Sequence, residues 1–586
     1  MEILPHAPPV NACSAPTPPR NRNQAALAVL LALLAAWGLG FIWRSSFVLE
    51  GRRIFCLFDD AMISMTYARN LLDGKGLEWA RQGRPVEGFT HPLWLAAMLP
   101  ANLPAIPLPL RCLPVQLLSL ALLAALVAAV KRVMQDHFGP SGTSHWLPAA
   151  ALTAFYYPLA YWSLLDMETA MQALLAVVSV GLALAITERG EDRHRALWGV
   201  CTAAYLLRMD LALLVAGVQL WVLAAGGLRE PGRRRHWVQG LALFSATALG
   251  YEVFRGLYFH DLLPNTYYLK LTGVPLDVRL LRGLATFGAF ALGVWPLLLA
   301  VAAGTVLVAR RERRLLLPAA FVALYLAYDV WVGGDAWELS EQAVAVGANR
   351  FLAPMMPLVF VLFGALLNRA LAACWAHTPV DSDPWPARLA TVGLTAIAFA
   401  VANGLVLSPD ALEHRQQLTL AAPPPNVDRQ QEVVRSLLRF ESLVAPGAVV
   451  ATAWAGIPAF FSDYRMIDIL GYNDRQVARL PSTVPLDRSH WRRYVPGHVK
   501  WDQRRLLEEQ RPDAFFQTWG VQQIGRAHHV MPAQGYRFLR HFWVRADSPF
   551  VHPPVPDVAR LAPSRRSAPR ARRVRAGGGL GSVAPT

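Results

Sequence analysis

Long apolar runs separated by short polar connections set the plan of this chain. Runs of spanning length fall at residues 24–43, 113–130, 147–163, 169–187, 237–258, 282–308, 315–332, 351–372 and 389–408. Each can form the helix of ~20 residues that a bilayer core requires. Residues 196–226 form a further run that is too long for one span and is interrupted by Arg208 and Asp210. The basic connections TERGEDRHR and REPGRRRH flank it and put both of its ends on one side. The pattern therefore predicts two short helices that turn back within the membrane, with Arg208 and Asp210 facing a polar cavity because lipid does not tolerate them. The expected total is eleven membrane segments, with the amino end in the cytoplasm and the carboxyl end outside. Lys131 and Arg132, Arg193 and Arg195, Arg233 to Arg235 and Arg310 to Arg314 then all fall on the cytoplasmic side, as the positive-inside rule requires. The last cytoplasmic connection is only weakly basic.

Hydropathy falls from about residue 410. GAVVATAWAGIPAFF, RMIDILGYND, DAFFQTW and YRFLRHFWVRA alternate like short strands, and VDRQQEVVRSLLRFES and KWDQRRLLEEQ are amphipathic helices. They predict a small α/β module. Four regions result: a disordered cytoplasmic amino end (1–23), a membrane domain (24–409), an extracytoplasmic soluble α/β domain (410–560) and a disordered basic tail (561–586). The fold class expected is an α-helical polytopic membrane protein with a C-terminal α/β domain.

Composition agrees with this plan. Of the 586 residues 54% are hydrophobic and 16% charged, where a soluble protein carries about 25% charge. The formal charge of +16 does not imply nucleic acid, because seven arginines lie in the tail from Arg560 to Arg575 and others cluster in short loops. That placement suits membrane topology and lipid headgroups. The five cysteines, Cys13, Cys56, Cys112, Cys201 and Cys374, lack CxxC spacing and read as apolar filler.

Polar chemistry collects on the outer side of this topology. Residues 55–94 carry the adjacent acids Asp59 and Asp60. A helix over 58–73 would place Asp60, Ser64, Tyr67 and Leu71 on one face, with Asp59 on a neighbouring stripe. The plain reading of the two acids is a helix cap. Glu87 and His91, Asp166 and Glu168, Asn265 and Lys270, Asp335, and Asn349 with Arg350 also sit at span ends on that side, where one cavity can gather them.

The ordered series DDAMISMTYARNLLDGKGL, VEGFTHPLW, LLRMD, LLPNTYYLK, VGGD, NRFLAP and IDILGYND resembles the polyprenyl-phosphate-dependent GT-C glycosyltransferases. It is most similar to the terminal (β-1,2) arabinofuranosyltransferase type of mycobacterial cell-wall arabinan, over residues 24 to 530. It departs at His91, where Asn is expected, at Met209, where Pro follows the arginine, and on the Asn349 side of NRFLAP. These departures bear on the sugar more than on the fold.

The resemblance implies a sugar donor linked to polyprenyl phosphate, reaching an outward-facing cavity from the bacterial plasma membrane. The acceptor is a hydroxyl of a cell-surface glycan or glycoprotein. Such a transfer needs a carboxylate base and cations for the leaving phosphate. On this resemblance Asp59 is the expected base, and Asp60 orients the acceptor or shares a divalent cation (Mg²⁺, Mn²⁺ or Ca²⁺), no cofactor being certain. Lys270 and Arg350 are the expected phosphate ligands, with Arg208 behind them. Glu87, His91, Glu168, Asn265 and Asp335 are the expected sugar or acceptor contacts. Each has a plainer reading: an interfacial lysine, an Arg208–Asp210 pair, turn residues or solvated acids. Adjacent carboxylates leave inversion and retention both open. Trp454, Tyr472, Trp491, Trp501 and Trp519 of the C-terminal module stack on sugars or form its core. The competing classes are a lipid-linked sugar transporter or flippase, a hexose-transferring enzyme acting on protein or lipopolysaccharide, and a glycan-binding membrane protein without turnover.

Overall fold

The computed structural model of the chain describes residues 20–80, 84–139, 145–165, 167–339, 350–375, 385–519 and 527–552. Asp166, Asn349 and the tail beyond 552 lie outside the described residues. Among those described, seven helices are long and apolar enough to cross a membrane, and the chain is a multi-pass membrane protein. They are α1 (Arg20–Arg44), α4 (Cys112–Val133), α7 (Thr169–Glu188), α12 (Leu276–Ala309), α13 (Leu316–Val332), α14 (Met356–Trp375) and α15 (Trp385–Ala402).

The remaining apolar runs also form helices, and each falls short of an independent span for a visible reason. The run at 147–163 breaks at Phe155 into α5 (Leu147–Ala154) and α6 (Tyr157–Leu165). The run at 196–226 breaks at Arg208, whose backbone is extended (φ −157°, ψ 133°), into α8 (His194–Leu207) and α9 (Ala212–Ala224). Here the expected pair of short helices is present. α10 (Pro231–Tyr258) is long enough, but it opens with Arg233, Arg234 and Arg235 and carries Glu252 and Arg255.

Three shorter helices complete the membrane part. These are α2 (Asp59–Leu72), α3 (Pro92–Met98) and α11 (Asn265–Leu271). A hairpin of β1 (Phe47–Leu49) and β2 (Arg52–Ile54) joins α1 to α2 through Glu50 and Gly51. Both hold positive φ, which Gly adopts without strain. Packing between helices is close where side chains are small: a Cβ on Gly283 of α12 would meet the Val330 carbonyl of α13 at 2.1 Å. Cys56, Cys112 and Cys201 are free thiols buried in the apolar interior.

The C-terminal domain follows α16 (Ala411–Leu418) and α17 (Val427–Glu441). Its sheet has the order β4-β3-β5-β7-β6, built from β3 (Val449–Thr452), β4 (Arg465–Asp468), β5 (Ala514–Phe515), β6 (Tyr536–Leu539) and β7 (Phe542–Arg545). β3 pairs in parallel with β4 and β5, and β7 pairs antiparallel with β5 and β6. The buried face of α17 presents Val433, Val434, Leu437 and Phe440, and Phe440 meets the rings of Phe516 and Phe542. One more short helix, α18 (Ile457–Phe461), leaves the end of β3 and packs on α2.

Candidate active site

A cavity of about 340 Å³ lies where α2, the α8–α9 break, α11 and the end of α13 meet the C-terminal domain. Seven of the ten expected site residues line it: Asp60, His91, Glu168, Arg208, Lys270, Asp335 and Arg350. One flank is apolar, with Leu263, Tyr267, Leu271, Trp331 and Val332.

Two charged groups face each other in this space. In the first, Arg350 bridges two acids, with Nη1 2.9 Å from Asp60 Oδ2 and Nη2 2.9 Å from Asp335 Oδ1. Asp335 stands on a turn made by Gly333 and Gly334 (φ 91° and 71°) directly after α13. The buried Arg282 of α12 clamps that turn by donating to the carbonyls of Gly333, Asp335 and Glu338. Asp335 Oδ2 is buried and accepts no hydrogen bond among the described residues. The Lys270 side chain, on the last turn of α11, makes no hydrogen bond or ion pair among the described residues; its Nζ lies 5.7 Å from the Tyr472 ring centroid, and its backbone carbonyl accepts from the Tyr494 hydroxyl at 2.7 Å.

Burial opposes ionisation of Asp60, but Arg350 and Lys270 outweigh it and hold the carboxyl below its ordinary value. Burial and the Arg350 charge pull Lys270 down. A buried ammonium without a partner is costly, so a bound anion would stabilise it.

The second group centres on Arg208. Its Nε and Nη2 donate to the two Asp210 oxygens at 2.9 Å each, and Nη1 donates to Glu168 Oε1 at 3.0 Å. Each guanidinium nitrogen already faces a carboxylate. Arg208, expected behind the phosphate ligands, thus lines the cavity with its guanidinium paired to Asp210 and Glu168. Glu168 Oε2 stands 3.5 Å from His91 Nδ1, and His91 Nε2 is 2.7 Å from Ser64 Oγ.

Three expected site residues lie outside the cavity lining, each with its side chain engaged elsewhere. Asp59 accepts from the backbone amides of Gly456 (3.2 Å) and Ile457 (2.7 Å), so it caps α18 instead of α2. Burial chiefly, with the neighbouring Asp60 charge, raises its pKa from 3.8 to about 7 despite those two amides. Glu87 accepts from Arg255 Nε and the Tyr251 hydroxyl at 2.6 Å each, which ties the 86–91 loop to α10. Asn265 donates to the carbonyls of Gly471 and Tyr472 at 2.9 Å each and thereby holds α11 against the C-terminal domain. Glu87 and Asn265 thus brace segments whose neighbours Gly88, Pro264 and Thr266 line the cavity. Among the described residues no group of three or more His, Cys, Asp or Glu side chains is arranged to hold a metal. Asp59 and Asp60 diverge to different partners.

The lining also holds Ser64 and Tyr328, which the site expectations omitted, and Tyr472, one of the module aromatics read as stacking on sugars or forming its core. Ser64 had a signal, since it lies one helical turn after Asp60 on the same face. Tyr472 comes from the IDILGYND segment, where Asp468 accepts from the amides of Leu470, Gly471 and Asn473 and folds the loop. Asn473 then takes the Tyr67 hydroxyl of α2 at 3.0 Å. His498 adjoins Tyr472, ring centroids 6.2 Å apart. Of the other module aromatics, Trp501 and Trp519 pack against the sheet cluster, Trp491 packs in a cluster that includes Val278 and Tyr494, and Trp454 lies beneath Arg429.

Fold and site define a multi-pass membrane protein whose buried, charged cavity is closed by an α/β domain. A family model described as a domain of unknown function (DUF8728) matches residues 425–557. No curated protein matches the chain. Among solved structures, the chain is similar to ArnT from Cupriavidus metallidurans in the apo state, at 13% identity over 77% of this chain and 87% of that one, with a TM-score of 0.47. It is similar to the same protein bound to undecaprenyl phosphate, at 12% identity over 76% and 86%, TM-score 0.48. The Archaeoglobus fulgidus oligosaccharyltransferase in the apo form is similar at 12% identity over 77% of this chain and 65% of that one, TM-score 0.43.

Proposed function

We propose that the cavity transfers a sugar from a polyprenyl-phosphate donor to a hydroxyl of a cell-surface glycan or glycoprotein, on the outer face of the bacterial plasma membrane. The observation that carries this reading is the first charged group: Lys270, whose ammonium has no hydrogen bond or ion pair among the described residues, beside an Asp60–Arg350–Asp335 chain and next to an apolar flank. A phosphodiester fits the cations, its prenyl chain fits the flank, and a carboxylate remains for the acceptor.

The roles divide by what each group has free. Lys270 and Arg350 take the phosphate. Asp335, one of whose oxygens has no hydrogen bond among the described residues, accepts a sugar hydroxyl. Asp60 is the base, because it lies in the cavity and Asp59 does not. A coupling follows from the charges. A phosphate that draws Lys270 and Arg350 toward itself weakens their hold on Asp60, so the carboxylate becomes more basic when donor is bound. The acceptor hydroxyl gives its proton to Asp60 as its oxygen bonds to the anomeric carbon, and polyprenyl phosphate leaves. The donor sugar in this reading is arabinofuranose, on the sequence resemblance alone.

The test uses proteoliposomes of the full chain supplied with polyprenyl-phosphate-[¹⁴C]arabinose and an arabinan acceptor. Acceptor-dependent release of polyprenyl phosphate with label in the glycan is the expected result. Movement of intact labelled lipid between leaflets without release would instead establish a flippase. Label on a protein or lipopolysaccharide acceptor from a hexose donor would keep the reaction and change the substrate.

A further inference from the structure

Ser64 is a buried helical hydroxyl that does not follow the habit of its kind. Thr66, Thr153 and Ser163 all turn back to the carbonyl four residues earlier, the usual way to satisfy a hydroxyl inside a helix. Ser64 instead points across to His91, with 2.7 Å between Oγ and Nε2. The far side of that imidazole, Nδ1, faces Glu168 Oε2 at 3.5 Å, and the other Glu168 oxygen is held by Arg208. All three residues line the cavity and are at most 2% exposed.

His91 Nδ1 and Glu168 Oε2 are close without forming a hydrogen bond, so it is the carboxylate charge at 3.5 Å that bears on which ring nitrogen carries the proton. A carboxylate can only accept, so it favours the tautomer with the imidazole proton on Nδ1. Burial lowers the ring's pKa and so favours its neutral form. Nε2 is then an acceptor, and the Ser64 hydroxyl donates to it. With its proton committed, Ser64 Oγ presents only lone pairs to the cavity. The arrangement does not favour a serine nucleophile for acyl transfer: Ser64 sits inside α2, whose neighbouring backbone amides are engaged in the helix and offer no oxyanion site.

We propose that Ser64, oriented by His91 and Glu168, is a fixed hydrogen-bond acceptor that recognises a hydroxyl of the donor sugar, one turn along α2 from Asp60. This rests on the sugar-transfer reading above and adds to it the residue that senses sugar in distinction to phosphate and prenyl chain. Ser64 meets the substrate; His91 is a positioning residue that acts through it.

The test separates sugar recognition from lipid recognition by equilibrium binding to the full chain in nanodiscs. The two probes are polyprenyl phosphate and polyprenyl-phosphate-arabinose. The wild type should bind the glycosylated lipid more tightly. Ser64→Ala should lose about tenfold of affinity for that probe, the worth of one good hydrogen bond, and keep its affinity for bare polyprenyl phosphate. His91→Phe should reproduce this pattern by freeing the Ser64 proton, and Ser64→Thr should restore most of the difference. Equal weakening of both probes in Ser64→Ala, or no change in either, would overturn the proposal while leaving lipid-donor binding intact. Wild-type protein that binds neither probe would overturn the sugar-transfer reading itself, and the role of Ser64 with it.

Discussion

Asp59 and Asp60 are neighbours in sequence and differ in everything the fold gives them. Successive helical residues point about 100° apart, which sends Asp59 to the Gly456 and Ile457 amides and Asp60 to Arg350. The sequence shows a pair of acids at the start of a helix on the outer side, and their pattern goes no further. The choice between them is made by α18, some 400 residues later in the chain. The two are separable by pH. Asp59 is protonated in the folded protein up to about pH 7 and ionised in the unfolded chain above its ordinary 3.8. The folded state therefore holds the extra proton between those values, and stability declines as pH rises through that window. Melting curves from pH 4 to 8 should show this decline in the wild type and a flatter profile in Asp59→Asn. For Asp60, whose pKa is lowered by Arg350 and Lys270 until donor binds, the acid limb of kcat should lie at higher pH than that of kcat/KM for the donor. Coincident limbs would count against the coupling of phosphate binding to base strength.

At the scale of elements, the membrane plan was legible because hydropathy and charge act locally. The Arg208 interruption announced the α8–α9 break, since a charged pair amid apolar residues must face a protein interior. The roles of connecting segments were not legible in the same way. Glu87 reads as a loop acid, yet it meets Arg255 on α10, with both side chains 1% exposed. Removing one partner of such a pair leaves a buried charge and costs roughly 3–5 kcal/mol. Arg255→Leu should therefore lower the melting temperature in detergent markedly. An unchanged melting temperature would mean that the 86–91 loop is held by other contacts. Likewise Asn265, expected to touch sugar, anchors α11 to the Gly471 and Tyr472 carbonyls. Which polar groups a loop residue meets is fixed by segments distant in the chain, and local pattern carries no trace of them.

For the whole molecule, the C-terminal domain is a structural part of the site. It receives Asp59 at α18, and its Phe460 and Ser462 carbonyls and Asp463 carboxylate accept hydrogen bonds from Arg69 of α2. It grips α11 through Lys500, which donates to the carbonyls of Tyr268 and Ala478 at 2.8 Å each. The tightest approach is at Gly456, where a Cβ would lie 1.8 Å from the Asp59 carbonyl oxygen. Gly456→Ala must push the two parts apart. Faster limited proteolysis near residues 403–425, together with at least a tenfold loss of transfer, is the expected consequence. Normal protease resistance with full transfer would show that this contact is dispensable. Strands β3 and β4 and helix α17 were readable from periodicity in the sequence, whereas IPAFF, read as strand, forms the helix α18, and the domain's place as a wall of the cavity was not legible.

The most direct measurement compares initial rates of sugar transfer by wild type, Asp60→Asn and Asp59→Asn in proteoliposomes with saturating polyprenyl-phosphate-arabinose and acceptor. Loss of more than about a hundredfold in Asp60→Asn, consistent with removal of a general base, with most of the rate retained in Asp59→Asn at pH 7.5, is the expected result. Undiminished transfer by Asp60→Asn would contradict the assignment of this cavity and its carboxylate to the reaction.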